Sequence, residues 1–339
     1  MNELPDGLHE FLTDAGWHDA AIDPMPGDAS FRRYFRVAKF REDRDGGSTR
    51  AMLMYAPPPH EDPAPFLHVA RWLGANRLRA PEILAADEAK GWVLTEDFGD
   101  DRMREWLDAH PQDEDTAYRA AIDALVELHR LPAGPFGAYD LATYRREAYL
   151  FTEWYTRHAG IDADADSYAA SWDEALVPLL DRQQPGITVL RDYHAENIML
   201  PHDPAHEAAD PARQGLIDFQ DALVGHPAYD LVSLLQDARR DVSEDLESRM
   251  LAYYTAQAAP DAGFADDYAI LGAQRNAKII GIFTRLSVRD GKKRYLEMIP
   301  RVWAALERDL ANPALAPVAR WFDENIPQSV RAANGRQAA

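Results

Sequence analysis

The chain has 339 residues, 46% of them hydrophobic and 27% charged, with a formal net charge of -21 and no cysteine. That length buries a sizeable core and suits two lobes, and the mix is that of a folded globular protein. The acidity argues against a nucleic-acid partner, which needs clustered Lys and Arg, and the lack of cysteine excludes disulfides, thiolate nucleophiles and thiolate metal sites.

The start, "MNELPDGLHEFLTDAGW", carries acids where a secretory leader carries bases, and no window reaches the apolar length of a bilayer span. A cytoplasmic, monomeric protein with no membrane partner is expected.

Leu8 to Ala15 reads as a short helix closed by Gly16. "GDASFRRYFRVAKF" is a turn at Gly27 running into a strand. Its alternation sets Phe31, Arg33, Phe35 and Val37 on one side and Arg32, Tyr34 and Arg36 on the other. "REDRDGGSTR" connects to a further strand, "AMLMYA", and the prolines of "PPPHEDPAP" forbid a helix there. A helix follows over about Pro65 to Gly74, then the strands "PEILAAD" and "GWVLTE", before "DFGDD" breaks the pattern. Residues 1–96 thus predict a lobe with a small, mostly antiparallel sheet.

The rest, 97–330, predicts a larger helical lobe, with helices over Asp113 to Leu131, Leu141 to His158, Asp166 to Asp181, Tyr229 to Arg239, Ser243 to Ala259, Tyr268 to Leu286 and Arg294 to Asp309. His129 falls on the apolar face of the first of these and reads as a packed core residue. Residues 331–339 read as a frayed tail. The fold class is α+β.

Two segments interrupt the helices. "VLRDYHAENIML" sets Asp192, His194 and Asn197 between apolar runs, and "LIDFQDA" follows after the polar insertion "PHDPAHEAADPARQ". Pairing of "IML" with "GLI" as a hairpin carries Asp218 back beside Asn197, with Asp192 converging on both. Two oxygen ligands near a third carboxylate suit Mg²⁺, which takes its other ligands from water and substrate phosphates. One aspartate is left to orient or deprotonate an attacking hydroxyl.

An Asp followed five residues later by Asn, then a hairpin and "IDF", resembles the catalytic and metal-binding loops of the bilobal protein-kinase-like superfamily. With "HPAYDL" the pattern is similar to the aminoglycoside phosphotransferase family. "GDASFRRYFR", "APPP", "FTEWY" and "GAQRNAKIIGIFTRLSVRDGKKRYL" resemble, within it, bacterial kinases acting on the anomeric hydroxyl of N-acetylmuramate and N-acetylglucosamine. The resemblance implies ATP and Mg²⁺ as cofactors, a small amino-sugar acceptor from cell-wall recycling, Asp192 as catalytic base, Asn197 and Asp218 as magnesium ligands, and Asp230 as a brace for the catalytic loop. An aminoglycoside or choline-like kinase, or a pseudokinase serving as a nucleotide-sensing module, remain alternatives.

Departures from the superfamily pattern shape the other candidates. No lysine stands on the strand Ala51-Met52-Leu53-Met54-Tyr55, and the helix after it offers His68 and Arg71 in place of a glutamate. Arg32 and Arg36 are the candidates to supply the phosphate-binding charge, or else form a solvated strand face. The nucleotide hinge is expected at Thr95 to Gly99, including Glu96 and Phe98. For the acceptor, Gln274, Lys278, Gly281 and Arg285 share one helix face, where Lys278 and Arg285 either read a carboxylate or face solvent. Glu153 and Trp154 either wall a sugar or pack internally, and His194 either contacts substrate or holds its loop.

Overall fold

The computed structural model describes residues 4–26, 31–40, 48–201 and 213–331. The turn at Gly27, most of the connection after the second strand, most of the polar insertion and the tail from 332 lie outside the described residues. The chain divides into two compact units, Met1–Met103 with Asn197–Asp221, and Arg104–Glu196 with Ala222–Ala339.

In the first unit, helix α1 (Leu8–Asp14) precedes strands β1 (Ala21–Pro24), β2 (Arg33–Phe40) and β3 (Ser48–Tyr55), helix α2 (Ala64–Ala75), and strands β4 (Ile83–Asp87) and β5 (Trp92–Glu96). The strands form one sheet in the order β1-β2-β3-β5-β4, antiparallel at every junction. Alternation decides which face is buried: Phe35 and Val37 of β2, Ala51 and Leu53 of β3, and Trp92 and Leu94 of β5 pack with Leu8, Phe11, Leu12 and Trp17. Phe31 departs from the expected alternation. The strand begins at Arg33, and Phe31 is 66% exposed, stacked on His60 at 5.1 Å.

The expected lobe boundary after residue 96 falls at the end of β5, but the first unit runs on to Met103 and also takes the hairpin of β7 (Ile198–Met199) and β8 (Gly215–Leu216). Backbone bonds explain this. Leu200 N–H donates to the Asp101 carbonyl at 2.7 Å and Leu216 N–H to the Arg79 carbonyl at 2.8 Å. Gly215 is required beside Phe98, because a Cβ there would lie 2.5 Å from the ring.

The second unit holds α3 (Met103–Ala109, from its second residue), α4 (Glu114–His129), α5 (Leu141–Ala148), α6 (Ala165–Gln183), the pair β6 (Ile187–Val189) and β9 (Leu223–Gly225), and α7 (Ala228–Leu235), α8 (Glu244–Ala258), α9 (Phe264–Val288), α10 (Ile299–Leu310) and α11 (Ala316–Asn325). His129 is half-buried with Nδ1 2.7 Å from the Tyr254 hydroxyl, a packed residue as expected. The single helix expected over Leu141 to His158 is instead α5 followed by a π-helical turn at Phe151–Thr156. The wider turn places Phe151, Thr152, Tyr155 and Thr156 together on the buried side.

The 25-residue α9 runs through this unit with buried residues nearly all round. Gly281 is the point of closest approach: a Cβ there would stand 2.3 Å from the Leu150 carbonyl carbon and oxygen. Alanine would gain about 1 kcal/mol of helix propensity over glycine, whereas overpacking a tight contact costs about 1–3 kcal/mol. Gly281→Ala is therefore expected to lower unfolding stability, read as a reduced denaturant midpoint at unchanged m-value.

Candidate active site

In the second unit, β6 delivers the chain to Leu190 and Arg191, whose backbone N–H groups donate to the Asp230 carboxylate at 2.6 Å and 2.8 Å. Asp230 sits in the first turn of α7, wholly buried; burial pushes its carboxyl up to about 7 against the opposing pull of those two N–H groups. Arg191 is left-handed, with φ 72, and Asp192 N–H bonds the Leu190 carbonyl at 2.9 Å. Asp192 thus leaves a sharp, pinned turn.

The residues after it are held as firmly. Tyr193 donates its hydroxyl to the Ala121 carbonyl at 2.7 Å, and Ala195 N–H donates to Asp237 at 3.2 Å. His194 is buried, its Nε2 3.3 Å from Arg239 Nη1. Glu196 pairs with Arg104 and, at 3.1 Å, with Arg239.

In the first unit the expected hairpin forms, with Ile198 opposite Leu216 and Met199 opposite Gly215. This register sets Asn197 Nδ2 3.3 Å from Asp218 Oδ2, and Ile217 N–H on the Asn197 carbonyl at 3.1 Å. Asp218 is exposed and left-handed, with φ 60, and Gln220 Nε2 donates to its other oxygen at 2.8 Å. Gln220 was not among the sequence candidates; its only signal was its place in "IDFQDA", two residues beyond Asp218. Among the described residues no group of three or more His, Asp or Glu is arranged to hold a metal alone. A cation on Asn197 and Asp218 would need oxygens from a substrate or water.

The candidate nucleotide-side residues are in the same unit. Arg36 pairs with Asp97 at 2.7 Å and Asp100 at 2.8 Å, and donates to the Gly99 carbonyl at 3.2 Å. Arg32 pairs with Glu61 at 3.2 Å, and lies near Tyr34, whose hydroxyl is pushed up by burial, lowered by Arg32 and raised by Asp218. Arg32 and Asp218 both lie within electrostatic reach of Tyr34. Glu96 takes a two-pronged bond from Arg79 at 2.5 Å and 2.6 Å, and the same guanidinium lies 4.7 Å from the centre of the buried Phe98 ring.

The α9 face expected to carry Gln274, Lys278, Gly281 and Arg285 is largely a packed one. Gln274 is fully buried and donates to the Tyr144 carbonyl at 3.0 Å, Lys278 pairs with Glu147 at 2.8 Å, and Gly281 meets Leu150. Arg285 is half-buried, and burial together with neighbouring Arg289 lowers its pKa. Glu153 pairs with Arg146 at 3.1 Å. Glu153 and Trp154 line, with Arg157, His158 and Val288, an open depression of about 490 Å³.

The model of the phosphotransferase enzyme family matches residues 21–268. The chain belongs to this family. An N-acetylmuramate/N-acetylglucosamine kinase from Caulobacter vibrioides is 37% identical over 95% of this chain and 96% of its own length. A kinase of the same name from Pseudomonas aeruginosa is 36% identical over 96% and 95%. A choline/ethanolamine kinase family protein from Mesorhizobium loti matches in structure with a TM-score of 0.59 at 15% identity, covering 89% of this chain and 93% of that one. The phosphotransferase therefore has the expected protein-kinase-like α+β fold, an antiparallel sheet in one unit and a helical second unit.

The Asp97 side chain is only 1% exposed, and its cations are Arg36 at 2.7 Å and Arg50 at 3.8 Å, so removing the nearer one leaves a buried charge under-compensated. In this phosphotransferase Arg36→Met should cost roughly 3 kcal/mol of unfolding stability, and the Arg36→Met, Asp97→Asn double variant should recover most of it. Chemical denaturation of the two variants checks this.

Proposed function

We propose that this phosphotransferase moves the γ-phosphoryl group of ATP to the anomeric hydroxyl of N-acetylmuramate or N-acetylglucosamine, within the recycling of cell-wall sugars. The observation that carries the reading is end-to-end similarity to two relatives of that name. Asp192 serves as the base: it takes the proton of the acceptor hydroxyl as that oxygen bonds to the γ-phosphorus and the bond to the bridging oxygen of ADP breaks. The pinned Leu190-Arg191 turn supports this role, because a base on a fixed backbone needs little reorganisation to meet its substrate.

Asn197 and Asp218 are the residues that would hold Mg²⁺. Their adjacency and the exposure of Asp218 fit a hard cation, provided the Asn197 amide presents its oxygen, a simple rotation of the group. When bound, the ion supplies positive charge against the phosphate oxygens. Gln220 steadies Asp218, and Arg32, which acts on Tyr34 together with Asp218, adds charge on the phosphate side. The backbone of Glu96 to Phe98 is the adenine-reading segment, kept in shape by Arg79 and by the Arg36 pairs. His194 acts as a loop holder.

Acceptors with and without a carboxylate constrain the acceptor side. A buried cation dedicated to a carboxylate is left unpaired by an acceptor lacking one, and such sites discriminate strongly. Lys278 has its charge answered by Glu147 whichever acceptor binds. Glu153 and Trp154, in their open depression, and Arg285 remain the candidates to touch a sugar.

The test is turnover with Mg²⁺ and ATP on a panel of both amino sugars, choline and an aminoglycoside, with the product located by ³¹P NMR. Phosphate on the anomeric oxygen of the amino sugars is expected, and Asp192→Asn should lower kcat by about 10²-fold or more. Turnover of choline or the aminoglycoside instead would overturn the acceptor. Nucleotide binding without turnover on anything would overturn the enzyme and favour a binding module.

A further inference from the structure

One carboxylate in the helical unit gathers an unusual set of donors. Glu147, near the end of α5 and 7% exposed, accepts from Lys278 Nζ at 2.8 Å and from the Arg191 guanidinium on one oxygen. On the other it accepts from the Tyr139 hydroxyl and, at 3.5 Å, from Gln274 Nε2. Lys278 also donates to the Tyr229 hydroxyl at 3.2 Å, and Tyr229 is the neighbour of Asp230. The Arg191 guanidinium lies 5.5 Å from the centre of the Tyr139 ring.

Two buried carboxylates therefore grip the residue before Asp192 in different ways. Asp230 holds the backbone N–H of Arg191, and Glu147 holds its side chain. Between them sits a non-glycine residue in the left-handed region, a disfavoured conformation that persists only when its surroundings impose it. Release of the side chain would let the turn relax and swing the residue that follows.

Charge points the same way. Glu147, Arg191 and Lys278 together carry one net positive charge, and the Lys278 ammonium, disfavoured by burial, is favoured by Tyr229, Glu147 and Asp192. The Asp192 carboxylate is thus within electrostatic reach of a cation whose place Glu147 sets.

We propose that Glu147 is a positioning residue for phosphoryl transfer: it anchors Arg191 and Lys278, and so fixes the turn from which Asp192 projects. The proposal rests on Asp192 being the base. Nothing in the motif around Asp192 points to Glu147, which lies 45 residues before it in a different helix.

The experiment compares Glu147→Gln, the Glu147→Gln, Lys278→Met double variant and Asp192→Asn in the full chain, with N-acetylglucosamine and N-acetylmuramate as acceptors. Glu147→Gln should lower kcat by about 10-fold to 100-fold, the cost of a small misplacement of a reacting group, with KM for ATP and acceptor within about twofold of wild type. It should also lower Tm, since it leaves two half-buried cations under-compensated. Removing one cation in the double variant should restore Tm while kcat stays low, because Arg191 still lacks its anchor. Recovery of kcat along with Tm would make Glu147 purely a stabilising residue and overturn the proposal, as would a wild-type kcat for Glu147→Gln. Wild-type turnover by Asp192→Asn would overturn the role of the base itself, and the proposal with it. A low kcat in Asp192→Asn with an unaffected Glu147→Gln would sink the proposal alone.

Discussion

The grip of Asp230 on two consecutive backbone N–H groups is the constraint on which the candidate residues of the helical unit depend. A fully buried carboxyl is costly to ionise, and burial does push this one up. The two N–H groups offset that cost, and they are the groups at the end of β6 that would otherwise lack partners. The same contact therefore ends a strand, satisfies a buried acid and sets the turn before Asp192. Removal of any one of the three undoes the other two.

In the first unit the corresponding constraint is the register of a two-residue hairpin. A slip of one residue would turn each side chain to the opposite face and separate Asn197 from Asp218. The short ladder is too small to hold its own register. It is fixed from outside, by backbone bonds to Asp101 and Arg79 and by the close fit of Gly215 on Phe98. Arg79 also bonds Glu96 and covers Phe98, so the segment after β5 and the hairpin share one anchor.

Much of this was legible in the sequence because it rests on local pattern. Four of the five sheet strands follow from alternation and turn residues, and the Asn197 and Asp218 pairing follows from hairpin topology. β1 was not legible: it spans four residues, mostly exposed, and owes its existence to pairing with β2 rather than to its own pattern. Helices α3 and α11, 7 and 10 residues long, were not anticipated. Side-chain partners were the least legible of all. The spacing of Gln274, Lys278 and Gly281 showed correctly that they share a face, but not that α5 and the π turn cover it. Glu147 carries no local signal, since its meaning comes from residues 44 and 131 positions away.

The charge balance bears on how a triphosphate would be met. The chain has 57 acidic and 36 basic side chains, and cations at candidate positions already have carboxylate partners: Arg32 with Glu61, Arg36 with Asp97 and Asp100, Lys278 with Glu147. A phosphate group drawing on one of them must compete with a resident anion held at fixed geometry. For the buried Asp97, losing that competition would leave only Arg50, 3.8 Å away, as compensation, so Arg36 is poorly suited to the task. Arg32 is easier to share, since Glu61 retains the Phe31 N–H, at 3.2 Å, when the guanidinium turns away. With no lysine on β3, the counter-charge on the proposed reading shifts toward a divalent cation arriving with the nucleotide. Asn197 and Asp218, one neutral and one singly charged, would leave a divalent ion half of its formal charge to act on phosphate oxygens.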